Sequence, residues 1–170
     1  MATPSWSRIA EVFRAHHLEF VRLATLLVGD RPTAEDVVQD VFVRLHAHPD
    51  RVAGEGAPLA YVRASVVNGC RSVQRRRKIA RRNKDAGEAA ALQANEASAE
   101  SAVLLAEDRR QVLAALAGLP RRRREVLVLR YYLGLSEAEI ASVLSVSAGT
   151  VKSTAARGLA ALARKLGEEQ

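Results

Sequence analysis

Residues 136–163, SEAEIASVLSVSAGTVKSTAARGLAALA, decide the fold. Ser136 with Glu139 forms a capping box, two orphan donors satisfied reciprocally at a helix start. Ile140 and Leu144 give the short helix its inner face, and Ala141 is small where two helices cross closely. Ser145-Val146-Ser147 makes the turn, Val146 buries its side chain in it, and Ser147 caps the next helix. Val151, ten residues after Ala141, packs back inward. A short helix, a three-residue turn and a longer helix is the helix-turn-helix spacing, whose second helix enters the major groove. A packed helical hairpin with a polar outer face is the alternative, but cap, turn and small residues all agree on the first reading.

On the second helix of this motif Ala148, Gly149, Thr150, Lys152, Ser153, Thr154 and Arg157 are expected to face outward. Small residues at the tip let backbone N–H groups approach phosphate. Lys152 and Arg157 suit phosphate or guanine, and Ser153 and Thr154 suit base edges. Just upstream, Arg121-Arg122-Arg123-Arg124 opens a helix behind Pro120. Four cations there oppose the helix dipole, which an anion such as phosphate would compensate.

The rest of the chain is helical in pattern too. Strand signals are scarce, and Ala, Leu, Glu and Arg are common, which predicts an all-α protein. A first helix is expected over residues 6–28, with Ile9, Val12, Phe13, Phe20, Leu23 and Leu27 as its stripe and Gly29-Asp30 as its stop. Pro32 opens a second helix to about residue 46, apolar at Val37, Val38, Val41, Phe42 and Leu45. Residues 47–58 form a loop. A third helix runs over residues 59–82, with Val62, Val66, Cys70 and Val73 inward and a cationic run Arg75-Arg76-Arg77-Lys78 beyond. Residues 84–101 read as a linker. A helix from Val103 to Leu116 follows, then one from Pro120 to about Leu133, ended by Gly134. The division is a domain over residues 5–83, a linker over 84–104 and a second domain over 105–168.

Charge follows this division. The formal net charge is +7 over 170 residues. Residues 1–84 carry 15 basic and 8 acidic side chains, residues 85–108 none and six, and residues 109–170 eleven and five. Two basic blocks thus flank an acidic spacer, and 22 of the 26 cations are arginine, the side chain suited to phosphate and base edges. A polyanion partner follows, nucleic acid first. Cys70 alone allows no intrachain disulfide framework, which suits a reducing cytoplasm. There is no secretory signal and no apolar run long enough to span a membrane. His16, His17, His46 and His48 form no ligand cluster, so metal chemistry, other cofactors and an enzymatic role are not expected.

Two faces of the N-terminal block add detail. Asn68, Arg71, Ser72, Arg75 and Ile79 share one face of the third helix, offering an amide, a hydroxyl and cations to nucleic acid. Glu35, Asp36, Gln39 and Asp40 make the second helix acidic, a face for a basic protein partner.

Together these stretches resemble the extracytoplasmic-function group of sigma factors of bacterial RNA polymerase. Residues 29–42 (GDRPTAEDVVQDVF) are similar to the family's region 2.2, and residues 60–68 (AYVRASVVN) with the following arginines to regions 2.3–2.4. Residues 119–132 (LPRRRREVLVLRYY) and 149–153 (GTVKS) are similar to region 4. The resemblance covers nearly the whole chain in order, and its ending is of an actinobacterial type. It implies a non-enzymatic subunit with two helical domains. Asp36, Gln39 and Asp40 would face the β′ clamp helices of core polymerase. Asn68, Arg71, Ser72, Arg75 and Arg76 would contact and open the −10 element, with a flipped base held by residues 47–58. The helix at 147–163 would read the −35 element through Thr150, Lys152, Ser153, Thr154 and Arg157, helped by Arg121 and Arg124. Leu127, Tyr131 and Leu135 would hold the β-flap tip. An anti-sigma factor is an expected partner, and an appended sensory domain is not expected. Departures from the family are Tyr61 for Trp, Asp40 for Glu, Thr154 for Arg, and Ser145 for the usual turn glycine. The last predicts a turn that does not lean on a left-handed position. The rival reading is a stand-alone helix-turn-helix regulator.

Overall fold

The computed structural model describes residues 5–48, 58–83 and 100–167. The expected base-holding loop, apart from its ends, and most of the acidic linker lie outside them. The described residues are all-helical, and the chain divides into two compact units, Met1–Gly87 and Glu88–Gln170.

The first unit holds α1 (Ser5–Val28), α2 (Arg31–Ala47) and α3 (Pro58–Asn83). Gly29 at φ 95° takes the left-handed turn that ends α1, a conformation that costs glycine nothing. Asp30 then caps α2, its Oδ1 accepting from the Thr33 N–H at 2.9 Å, and Pro32 sits in the first turn where its missing N–H is harmless. The apolar stripes meet in one core. The Phe13 ring lies edge-on to Phe20 and Phe42, at 5.4 and 4.7 Å between centroids. Leu23, Leu27, Val38, Val62, Val66, Val67 and Cys70 close around them, all buried. Complete burial of Phe20 is worth about 3 kcal/mol. Gly69 lets α2 and α3 cross closely, since a Cβ there would stand 2.8 Å from Val37 Cγ1.

The second unit holds α4 (Glu100–Ala117), α5 (Arg121–Leu127), a π-helical turn (Val128–Tyr132), α6 (Glu137–Leu144) and α7 (Ala148–Gly167). Here the expected single helix to Leu133 needs correction. It is α-helical only to Leu127 and then widens, with Leu133 N–H donating five residues back to the Val128 carbonyl at 3.3 Å. Residues 125–129 are all buried in succession, more than one face of a regular α-helix supplies. The core joins Leu119, Leu127 and Ala161, with Leu129, Ile140, Leu144 and Val151 also buried. Gly158 lets α7 settle onto α5, because a Cβ there would lie 3.1 Å from Leu127 Cγ.

Candidate nucleic-acid interface

The capping box at the start of α6 is present in both directions. Ser136 Oγ accepts from the Glu139 N–H, and Glu139 Oε2 accepts from the Ser136 N–H at 2.8 Å. The end of α6 corrects the expectation for its turn. Ser145 occupies the left-handed region, at φ 54° and ψ 52°. Its N–H donates to the Ser142 carbonyl at 3.3 Å, and the Val146 N–H donates to Ala141 at 3.0 Å, with Val146 half-buried. This is a Schellman ending made by a non-glycine residue, at a cost of about 1 kcal/mol. The motif's geometry demands the left-handed residue, whichever side chain stands there.

Beyond the turn, Ser147 caps α7, accepting from the Thr150 N–H at 3.1 Å and sharing a 2.9 Å hydrogen bond with the Thr150 hydroxyl. Thr150, Lys152, Ser153 and Arg157 are exposed. Ser153 Oγ donates to the Thr150 carbonyl at 3.2 Å. Arg157 donates through Nε to the Ser153 carbonyl and through Nη2 to its hydroxyl, both at 3.1 Å. These bonds lay a guanidinium along the outer face of α7, with hydroxyls below it and small residues at the tip.

Two expected members of this interface, Thr154 and Arg124, lie elsewhere, as does Leu127, expected at the β-flap tip. Thr154 is buried with Val151, Ala155, Gly158 and Ala161, because the inner stripe of α7 runs through position 154. Arg124 turns inward. Its Nη2 donates to the Ala117 carbonyl at the end of α4 and, at 3.2 Å, to the Leu119 carbonyl just beyond it. Burial lowers its pKa from the usual arginine value, while neighbouring Glu125 raises it. Leu127 is core, so the exposed apolar surface of this region centres on Tyr131, 59% exposed, and Tyr132. Arg121 remains exposed, 3.6 Å from the buried Glu125 carboxylate. Arg130 pairs with Glu137 at 3.0 Å and ties the π turn to α6.

In the first unit Asn68, Arg75 and Arg76 are exposed on α3, with Arg71 and Ser72 half-buried beside them. Arg71 donates to Asn68 Oδ1 at 3.3 Å, which leaves the amide donors of Asn68 for an incoming acceptor, and Ser72 donates to the Asn68 carbonyl at 3.1 Å. Asp36, Gln39 and Asp40 are exposed on α2. An open groove of about 300 Å³ separates the two faces, lined by Asp36, Val37, Gln39, Asp40, Val73 and Arg76. Acidic and basic walls therefore stand side by side, available to different partners. Cys70 is buried. His16 lies tilted beside Phe20, 6.1 Å between ring centroids, and meets Glu19 at 3.3 Å. No cluster of metal-ligating side chains occurs among the described residues.

Sequence reading missed Asp30, Gln74 and Arg77 as a connected group. Gln74 Nε2 donates to the Leu27 carbonyl at 2.6 Å. Arg77 donates to the Val28 carbonyl at 3.0 Å, Asp30 Oδ2 at 2.8 Å and Thr33 Oγ1 at 2.6 Å. The signal was present: the stripe Val62, Val66, Cys70, Val73 reaches position 77 one turn later.

Family comparisons agree with this geometry. The model described as Sigma-70 region 2 matches residues 12–81, and that described as Sigma-70, region 4 matches residues 109–162. The chain is 33% identical over 156 residues to the RNA polymerase sigma-E factor of Streptomyces avermitilis, covering 92% of this chain and 83% of that one. It is 32% identical over 157 residues to the ECF RNA polymerase sigma factor SigM of Mycobacterium tuberculosis, covering 92% and 76%. Among solved structures, the sigma factor RpoE of Bartonella quintana, in complex with the anti-sigma factor NepR, superposes with a TM-score of 0.72 at 22% identity over 96% of this chain and 97% of that one. CnrH, in complex with the cytosolic domain of CnrY, gives 0.69 at 22% identity over 95% and 89%. Two region matches in order, each over a helical unit with an exposed cationic face, place this chain in the sigma-70 family, among the extracytoplasmic-function sigma factors of RNA polymerase.

Proposed function

We propose how this sigma factor divides its labour. Residues 5–83 dock on core polymerase through Asp36, Gln39 and Asp40 and engage the −10 element through Asn68, Arg71, Ser72, Arg75 and Arg76. Residues 105–168 read the −35 element through Thr150, Lys152, Ser153 and Arg157, with Arg121 on flanking phosphate. Tyr131 and Tyr132 meet the β flap, and residues 84–104 join the two domains. The chain contributes binding energy rather than chemistry. Unstacking costs a few kcal/mol per base, which capture of the opened strand offsets. The observation that carries this reading is the acidic face of α2 beside the basic face of α3, a layout suited to protein on one wall and nucleic acid on the other. An anti-sigma protein is the inferred regulator, by analogy with the solved relatives' partners. The site of action is the cytoplasm; no helix among the described residues is long and apolar enough to cross a membrane.

The test mixes the chain with sigma-free core polymerase and follows co-elution, then initiation from a genomic promoter library. Stable association and discrete start sites are expected, with association weakened tenfold or more, roughly, by Asp36→Arg with Asp40→Arg. Lys152→Ala or Arg157→Ala should each lower the slope of log affinity against log salt by about 0.9. Tight duplex binding by the chain alone, with no association with core polymerase, would support a stand-alone regulator instead.

A further inference from the structure

Arg77 sits in the middle of a cationic run, yet its side chain faces away from the proposed DNA surface. From Arg71 to Arg82 no residue of α3 is fully buried and Val73 is its one half-buried apolar side chain, so the core holds this half of the helix weakly. What mainly holds it is polar. Gln74 grips the Leu27 carbonyl, and Arg77 spans the α1–α2 corner, reaching the last carbonyl of α1, the capping carboxylate of α2 and the Thr33 hydroxyl. The same Asp30 carboxylate accepts from the Thr33 N–H and from Arg77, so the start of α2 and the cationic end of α3 share one acceptor. Three acceptors on two elements, met by one planar fork, fix direction as well as distance.

We infer that Arg77, with Gln74, is a positioning residue for promoter opening: it aims the exposed Arg75 and Arg76 of α3 relative to the polymerase-binding face of α2. The inference rests on the reading of α3 as the −10 surface. A one-residue step on a helix turns a side chain by about 100°, which is why Arg76 and Arg77 serve different ends. The corner lies one turn before Asp36, so the aim of α3 is referenced to the element that meets the enzyme.

The experiment uses reconstituted holoenzyme on a promoter recovered from the library. Polymerase affinity is measured by titration, strand opening by permanganate reactivity, and the salt slope of promoter binding by titration at several salt concentrations. Arg77→Leu is expected to leave polymerase affinity within about twofold while opening falls about tenfold, the equivalent of one charge-assisted hydrogen bond. The salt slope should fall by much less than the value of about 0.9 for a lost phosphate contact, since Arg77 itself touches none. Arg77→Lys should stay defective, because an ammonium keeps the charge and loses the fork. Thr33→Val, which alters no charge and lies on α2, should lower opening in the same direction by about threefold. A direct phosphate contact would show the opposite pattern: a slope smaller by about 0.9, rescue by Lys, and no effect of Thr33→Val. Equal losses of polymerase affinity, opening and melting temperature would mark a merely structural residue. Either result overturns the proposal. Arg75→Ala with Arg76→Ala serves as the control for the parent reading. If that pair leaves opening intact, α3 is not the −10 surface and both fail.

Discussion

Each unit contains a run of four consecutive cations, and each turns one of the four inward to satisfy the carbonyls that end an earlier helix. In the first unit Arg77 does this for α1, and in the second Arg124 does it for α4. The surroundings differ. Arg77 keeps a side-chain exposure of 40% and holds a carboxylate, Asp30. Arg124 meets carbonyls and lies deep enough for burial to lower its pKa, with Glu125 pulling the other way. An arginine run is therefore not one functional unit. Helix periodicity splits it between inner and outer faces, and the cost of losing the inner member depends on how much water can replace it.

Three predictions probe that contrast, and a fourth probes the turn after α6. The largest effect is expected for Arg124→Leu, about 2–3 kcal/mol of lost stability in the second unit, because its carbonyl partners lose a charged donor and Glu125 loses a neighbouring cation. Urea unfolding followed by circular dichroism checks it. Arg77→Leu should cost about 1 kcal/mol in the first unit, since water reaches the vacated acceptors; equal costs would erase the contrast. This clamp should also respond to acid. Burial raises the Asp30 pKa, but hydrogen bonds from Thr33 and Arg77 outweigh it and hold the carboxyl below its ordinary value. Its contribution is then complete above about pH 4 and fades as pH falls through the depressed folded-state value. Asp30→Asn should flatten the acid limb of the first unit's stability profile, whereas the carbonyl acceptors of Arg124 do not titrate. The fourth effect is a gain. Ser145→Gly should stabilise the second unit by about 1 kcal/mol, by removing the left-handed strain of the turn. No gain would mean that the serine hydroxyl repays the strain, and melting temperatures of the two chains decide it.

Much of this was legible beforehand. The ends of α1, α2 and α3 follow Gly29, Asp30, Pro32 and the apolar stripes to within two residues. The capping box, the cap at Ser147 and the buried Cys70 were readable from local chemistry. The candidate surfaces fared unevenly for a physical reason. On α3 and α2 the outer face is wide and the side chains are long, so exposure follows from period alone. On α7 the inner stripe is built from small residues. Thr154 is as compatible with packing as with water, and only the register of Val151, Ala155 and Gly158 assigns it inward. Arg124 and Leu127 were misplaced because both depend on what an adjacent segment leaves unsatisfied or unfilled. Ser145 departs from its residue's preference because the turn, not the side chain, selects the left-handed conformation.

The π turn at Val128–Tyr132 has a consequence for comparing relatives. It acts as a phase shifter: the helix enters at Leu127 in one rotational setting and leaves displaced by one residue's worth of arc, about 100°. A homologue one residue shorter here would keep α5 and α6 yet present a different side chain where Tyr131 stands. An alignment gap within these five positions thus stands for a rotation of the exposed tyrosine surface, and sequences that look nearly identical across it would present different side chains there.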